Sequence, residues 1–386
     1  MRHTVRSARS QFLSRTSRIG TVGAIAAATT LMFSGISTAA PDFGSLGSGS
    51  LGSGSLGSGS QGSGSVSSGS VLPEMFQTNP GPPPVLRDDI LVPAIMKTSE
   101  SGKHIRYEVE SPALRRAVTL DVLLPKDNSV QRPTLYMLSG VDTGDDRNAW
   151  MNQGGGRDFF ADKNVNVVMV NGGRSSLYTD WAEIDPVLGL NKWETFITKE
   201  LPPLINNELN TNGVNAIAGN SMGAQAAMML AHRNPALYRG VAAFSGCYST
   251  VDAVGRLSVQ LTVSHQSGDP ANIWGEFGND TWKAHDSVIN AEALRGKQIY
   301  LSAADGTPGP HEDSEDADYA KTVVVGGAIE AGSNRCTKTM EDRLTELDIP
   351  VTVTYEPAGV HAWPYWKDQL PKAWPTLEKA LGVSTP

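Results

Sequence analysis

Beyond about residue 90 the chain alternates between two hydrophobic patterns. Arg106–Glu110 and Ala117–Leu124 set apolar against polar residues at every second position, the period of half-buried strands, and predict an antiparallel pair. Thr134–Leu138, Val165–Val170, Val214–Ala218, Val241–Phe244, Gln298–Ser302 and Val351–Tyr355 are short apolar runs ending in turn residues. Such runs predict parallel strands buried on both faces. Helical patterns separate them at Trp193–Leu209, Met222–His232, Ala328–Leu347 and Trp363–Leu381. Strand and helix in alternation predict an α/β fold, a doubly wound and mostly parallel sheet with helices on both faces. In such a sheet functional groups gather outside the carboxyl ends of the strands.

The first 90 residues follow neither pattern. Arg2, Arg6, Arg9, Arg15 and Arg18 crowd the start without an acidic residue among them, an apolar run follows from Gly20 to Met32, and small residues lead to Ala39 and Ala40. A basic region, a short apolar stretch and an Ala-rich cleavage site predict a secretory signal peptide over residues 1–40; the stretch is too short and too rich in Ala and Thr for a spanning helix. From Gly44 to Ser70 the chain repeats Gly-Ser-Leu-Gly-Ser, and Pro80 to Pro84 is proline-rich. Residues 41–85 therefore read as a flexible tether that stiffens at its end. Residues 86–386 read as the folded domain.

Charge and cysteine content narrow the classes. The 386 residues carry a formal net charge of −8, which excludes the basic footprint of a nucleic-acid binder. Two cysteines, Cys247 and Cys336, are too few for a disulfide scaffold or a multi-cysteine metal site.

Candidate chemistry enters at Gly219-Asn220-Ser221-Met222-Gly223, a G-x-S-x-G pattern between the apolar run Val214–Ala218 and the Ala-rich helix Met222–His232. That context is the nucleophile elbow of the α/β-hydrolase fold, a strained strand-to-helix turn that exposes the serine hydroxyl. Ser221 needs a base, and in this fold the base is a late histidine. Of the seven histidines only His361 follows the last strand and precedes the C-terminal helix. His3 lies in the leader, His104 ahead of the core, His232 at the far end of the nucleophile helix, and His265, His285 and His311 in connecting segments. The strand-end rule nominates Asp305 as the acid, with Glu330 its rival. Glu312 to Asp318 read as a solvated acidic run. The backbone amides of Met222 and Val141 are the expected oxyanion donors.

Further runs carry a family resemblance. Val170-Asn171-Gly172-Gly173-Arg174-Ser175-Ser176-Leu177-Tyr178-Thr179-Asp180-Trp181, Lys192-Trp193-Glu194-Thr195-Phe196, the elbow with Met222, and His361-Ala362-Trp363-Pro364-Tyr365-Trp366 together resemble the secreted mycolyltransferases of the antigen 85 type. The resemblance runs from about Ile90 to the C-terminus. It implies that the acid is a helix-borne glutamate, Glu330 rather than Asp305, and that Asn148 and Trp363 contact trehalose. The family's loop after the early strand often carries an aspartate and an arginine that hold the sugar; here those places read Ser139 and Asp142.

The implied activity moves a mycolyl chain from trehalose monomycolate, through a Ser221 acyl-enzyme, to a second trehalose monomycolate or to cell-wall arabinogalactan. It implies a secreted, envelope-associated monomer, working at the mycolate outer layer without metal or organic cofactor. A carboxylesterase of the same fold and a non-catalytic envelope adhesin are the alternatives; the Ser221/His361 pair speaks against the adhesin. Export to an oxidising compartment predicts one disulfide between Cys247 and Cys336, since Cys247 follows a strand at the rim and Cys336 lies on the Glu330 helix.

Overall fold

A computed structural model describes Thr78 and residues 81–383, except Arg147. The expected leader and nearly all of the expected tether lie outside the described residues.

The domain is built on one nine-stranded sheet in the order β1-β2-β3-β5-β4-β6-β7-β8-β9. The strands are β1 Ala94–Ser101, β2 His104–Ser111, β3 Arg116–Leu123, β4 Arg132–Leu138, β5 Asn166–Val170, β6 Thr211–Asn220, β7 Gly240–Phe244, β8 Gln298–Ala304 and β9 Thr352–Glu356. The first three pair antiparallel, β3 also runs antiparallel to β5, and every pairing from β5 across to β9 is parallel. Neighbouring residues of the parallel strands face opposite cores. Tyr136, Leu138, Val168, Val170 and Ile217 point into one cluster, while Leu135, Met137, Val167, Met169 and Ala216 point into the other. Burial on both sides is why these strands read as unbroken apolar runs.

The main helices are α1 Leu201–Glu208, α2 Met222–Arg233, α3 Ala253–His265, α4 Gly327–Glu346 and α5 Trp363–Leu381. The first four place residues such as Ile205, Met228, Val259 and Met340 in the first cluster. Leu370, Trp374 and Leu377 of α5 fill the second, with Trp150 and Phe160. Among the described residues no helix is long and apolar enough to cross a membrane.

Three local departures have physical causes. The continuous helix expected over Trp193–Leu209 is interrupted by a π-helical turn at Phe196–Glu200. Pro202 and Pro203, at the start of α1, supply no N–H to the carbonyls one turn back, so the ladder shifts there. Strand β1 lacks the alternating pattern because it is an edge strand, six of its residues exposed. Helix α3 carries three Val and two Ser, with a Gly and a Thr, among its 13 residues, all of modest helix propensity, and its pattern does not announce it. Near the N-terminal end of the described chain, Thr78 donates from its amide to the His265 carbonyl (2.9 Å). Pro84 lies against Gly189, where a Cβ would come within 3.1 Å of its ring, so the end of the expected tether packs on the domain.

Candidate active site

The elbow forms where β6 runs into α2. Ser221 sits between them at φ 55° and ψ −122°, a conformation that disfavours any side chain. The two flanking glycines make the turn possible. A Cβ on Gly219 would lie 2.3 Å from the Gly223 carbonyl oxygen, and one on Gly223 would lie 2.6 Å from that of Leu138. The elbow is thus pressed against the end of β4, which brings the loop after β4 to the nucleophile. Gly140 of that loop would carry a Cβ 3.5 Å from Ser221 Cβ.

Ser221 Oγ is 2.7 Å from His361 Nε2, and His361 Nδ1 is 2.7 Å from Glu330 Oε2. With the ring proton on Nδ1, the imidazole donates to Glu330 and accepts the serine proton at Nε2. The other oxygen of Glu330, Oε1, accepts from the Ala304 amide (2.7 Å) and from Ser245 Oγ (2.8 Å). Glu330 is 1% exposed, so these bonds replace the water that a buried carboxylate loses. Trp366 closes the group: its indole N–H donates to Ser245 Oγ (3.0 Å), and its ring lies edge-on to the His361 imidazole at 4.9 Å. Such an arrangement can take a proton from a serine and stabilise the resulting imidazolium.

Asp305, the strand-end candidate, lies elsewhere. Its Oδ1 accepts from the amide and the hydroxyl of Thr307, closing its own exposed turn. The Met222 amide opens α2 and, as the first of the helix, has no intrahelical acceptor. Val141 is half-buried, packed on the first core cluster, with its carbonyl accepting from the Ser175 amide (3.2 Å). Met222 follows Ser221 directly, and Val141 follows Gly140, whose Cβ position lies 3.5 Å from Ser221 Cβ.

The sugar-contact expectations divide. Trp363 is half-buried and stands edge-on to Trp150 and Trp366, each at 5.1 Å; it forms an aromatic wall beside His361. Asn148 instead is 1% exposed. Its Oδ1 accepts from the Trp150 amide and from Ser139 Oγ, and its Nδ2 donates to the Val170 carbonyl. That side chain caps a short helix and braces the loop after β4, and it has no surface to offer a sugar. Asp142 is exposed but held by His265 Nε2 (2.7 Å) and Gln266 Nε2 (3.0 Å); the His265 bond foremost keeps its carboxyl below the usual range.

Other polar residues also sit differently from expectation. His104 opens β2 inside the sheet and pairs with Asp121 of β3 at 2.8 Å. Glu312 is not merely solvated, for it accepts from the Gly309 amide and the Tyr365 hydroxyl. His311, beside it, pairs with Asp368 at 2.7 Å. The two cysteines are joined, Cys247–Cys336, with Cα atoms 4.8 Å apart. Among the described residues no group of three His, Cys, Asp or Glu is placed to hold a metal ion.

A sheet of this order with a serine elbow and a Ser–His–Glu chain at the strand ends defines an α/β-hydrolase. The esterase family (described as "Putative esterase") matches residues 111–377, well over half of the chain. The protein belongs to that family, and is an enzyme of the esterase and acyltransferase kind. Related proteins include the diacylglycerol acyltransferase/mycolyltransferase Ag85A of Mycobacterium leprae, 26% identical across 74% of this chain and 86% of its own. Ag85A of Mycobacterium tuberculosis is 28% identical across 74% and 84%, and Ag85B of Mycolicibacterium smegmatis 28% across 74% and 87%. Among solved structures, Mycobacterium tuberculosis MPT51 shares the fold with a TM-score of 0.59 at 21% identity, over 70% of this chain and 96% of that one. An S-formylglutathione hydrolase from Agrobacterium tumefaciens does so with 0.54 at 16%, over 75% and 99%.

Proposed function

We propose that this protein is an exported serine acyltransferase that moves a mycolyl chain from trehalose monomycolate to a second trehalose monomycolate or to arabinogalactan. The observation that carries the reading is the unbroken chain Ser221–His361–Glu330, two contacts of 2.7 Å each. The names of the mycolyltransferase relatives support the substrate class. The basic, apolar and Ala-rich leader supports export.

In this reading Ser221 Oγ attacks the ester carbonyl carbon while its proton passes to His361 Nε2. The oxyanion that forms is held by the amides of Val141 and Met222. The intermediate collapses, the carbon–oxygen bond to the sugar breaks, and His361 returns the proton to the departing sugar oxygen. An acceptor hydroxyl then gives its proton to His361 and attacks the acyl carbon; the bond to Ser221 Oγ breaks, and His361 returns the proton to that oxygen. Glu330 stays ionised throughout and stabilises the imidazolium of each half-reaction. Trp363 supplies an apolar face against which a sugar ring can stack.

One observation favours hydrolysis as a second reading of the same acyl-enzyme. Asn148 is buried and already bonded, and Asp142, though exposed, is already held by His265, which leaves fewer groups to hold an acceptor against water. Incubation with purified trehalose monomycolate separates the two. Trehalose dimycolate as the main product is the expected result; free mycolic acid alone would make the protein an esterase, and neither product would remove the substrate assignment.

A further inference from the structure

The loop Gly172–Tyr178 is strained and buried, and it touches both segments expected to carry the oxyanion amides. Ser175, Leu177 and Tyr178 all adopt positive φ, 53°, 55° and 47°, in a segment where every residue but Arg174 is buried. Clusters of such conformations persist only where the surroundings over-determine them. Gly173 is needed for this path, since a Cβ there would lie 2.6 Å from the Tyr178 ring.

Hydrogen bonds of the loop reach both elements that carry an expected oxyanion amide. The Ser175 amide donates to the Val141 carbonyl (3.2 Å). The Tyr178 hydroxyl accepts from the Ser139 amide (3.3 Å) and donates to the Gly172 carbonyl (3.1 Å), tying the loop after β4 to the start of its own loop. On the other side the Leu177 amide donates to the thioether sulfur of Met222 (3.4 Å). Burial pushes the Tyr178 phenol well above its ordinary value, so it remains a protonated bridge.

We propose that the Gly172–Tyr178 loop sets the spacing of the two oxyanion amides, with Tyr178 and the Met222 side chain as positioning residues. The inference rests on the serine reading above and adds its support structure. One loop fastened to both Val141 and Met222 fixes the distance between two donors that belong to different elements. It touches no reacting atom. Losing either fastening lets one donor drift from the place where charge develops, and a misplacement of about 1 Å costs on the order of a hundred-fold in rate.

The test uses the mature, disulfide-bonded enzyme, a soluble p-nitrophenyl ester and a trifluoromethyl ketone, which adds to the serine as a tetrahedral oxyanion. Tyr178→Phe leaves the buried Ser139 amide without its acceptor and should lower kcat about ten- to a hundred-fold while KM stays within about two-fold. The inhibition constant of the ketone should rise by the same factor as kcat falls, because both depend on the oxyanion donors. Met222→Leu keeps volume and removes the sulfur acceptor; it should move the two quantities together in the same way, and it carries the test if Tyr178→Phe does not fold. A folded variant that binds the ketone as tightly as the wild type, or that changes KM alone, overturns the inference. End-point labelling of wild-type Ser221 by a fluorophosphonate checks the underlying reading separately. No label there removes that reading and the inference with it, whereas a labelled serine with unmoved ketone affinity in both variants removes only the inference.

Discussion

Ser245 Oγ lies 2.8 Å from Glu330 Oε1 and 3.0 Å from the Trp366 indole nitrogen. It thereby joins the glutamate that meets His361 to the ring packed against His361. Ser245 itself has φ 56°, directly after β7, and its amide donates to the Ser302 carbonyl of β8 (2.8 Å). The sheet thus orients the carboxylate through this hydroxyl and through the Ala304 amide at the end of β8. Ser245→Ala would remove a hydrogen bond to a charged group and leave the buried Trp366 N–H unsatisfied, each worth about 1–3 kcal/mol. Ester turnover should fall about ten-fold in kcat, the equivalent of about 1.4 kcal/mol lost at the transition state, with KM nearly unchanged. Steady-state kinetics alongside a melting curve check this, and unaltered kcat would mean that Ala304 alone orients Glu330.

The two acid candidates separate by substitution. Glu330→Gln retains volume but cannot stabilise the imidazolium, and the analogous change in a serine triad lowers kcat about 10⁴-fold. Asp305→Asn touches only the turn to Thr307 and should leave kcat within about two-fold and stability within about 0.5 kcal/mol. Parallel kinetics on the two variants read this directly. A severe loss in Asp305→Asn with a mild one in Glu330→Gln would reverse the assignment.

The parallel core of the fold was legible because its buried strands leave short apolar runs and its covering helices, α3 apart, a 3.6-residue period. The elbow was legible because its glycines are dictated by backbone contacts, Gly219 on Gly223 and Gly223 on Leu138. His361 was found by place in the chain alone. Glu330 was only half legible: chain position offered it as the rival to Asp305, and it took the family resemblance to prefer a residue on a helix that begins after a long excursion from β8. What remained hidden is tertiary. Asn148 looks like a surface polar residue, but three hydrogen bonds absorb it into the wall behind Ser139. Nothing in the pattern of Gly172–Tyr178 announces three positive φ angles, because Ser, Leu and Tyr adopt them only when the folded surroundings compel it.

The Cys247–Cys336 bond fastens the loop that carries Ser245 to the helix that carries Glu330. Cys247 follows β7, and Cys336 is buried on α4 about two turns beyond Glu330. The cysteines are 89 residues apart, and closing a loop of that size stabilises the fold by about 4.6 kcal/mol in the chain-entropy account. The double variant Cys247→Ala/Cys336→Ala should therefore unfold at lower urea concentration with a somewhat steeper slope against denaturant, because the unfolded chain is no longer held compact by the cross-link. It should also lose kcat, since the acid and its orienting serine are no longer tied. Urea titration and kinetics measure both, and mass spectrometry of the unreduced, denatured wild type should find no alkylatable thiol.

Acid sensitivity should trace to His232 at the end of α2. It is 5% exposed; its Nδ1 meets Ser287 Oγ and its Nε2 the Ala284 carbonyl, each at 3.2 Å. Burial is the main reason that its pKa falls from 6.5 to about 4, and the neighbouring charges of Arg233 and His285 add to it. The unfolded chain therefore binds a proton between these values that the folded chain refuses. A depressed histidine contributes stability that is present above pH 6.5 and is lost as pH falls toward 4, on the order of 3 kcal/mol across that window. Glu194 acts in a lower window. Burial opposes its ionisation, but the bonds from His285 and Arg233 outweigh burial and lower its pKa to about 2, so its contribution is lost only between about 4.5 and 2. Urea unfolding followed from pH 7.5 down to about pH 3 should show stability level above pH 6.5 and declining below it. His232→Gln keeps a donor and an acceptor but carries no titrating ring, and should flatten that decline while leaving the fall below pH 4.5 in place. An equally steep decline in His232→Gln would assign the acid sensitivity to another group.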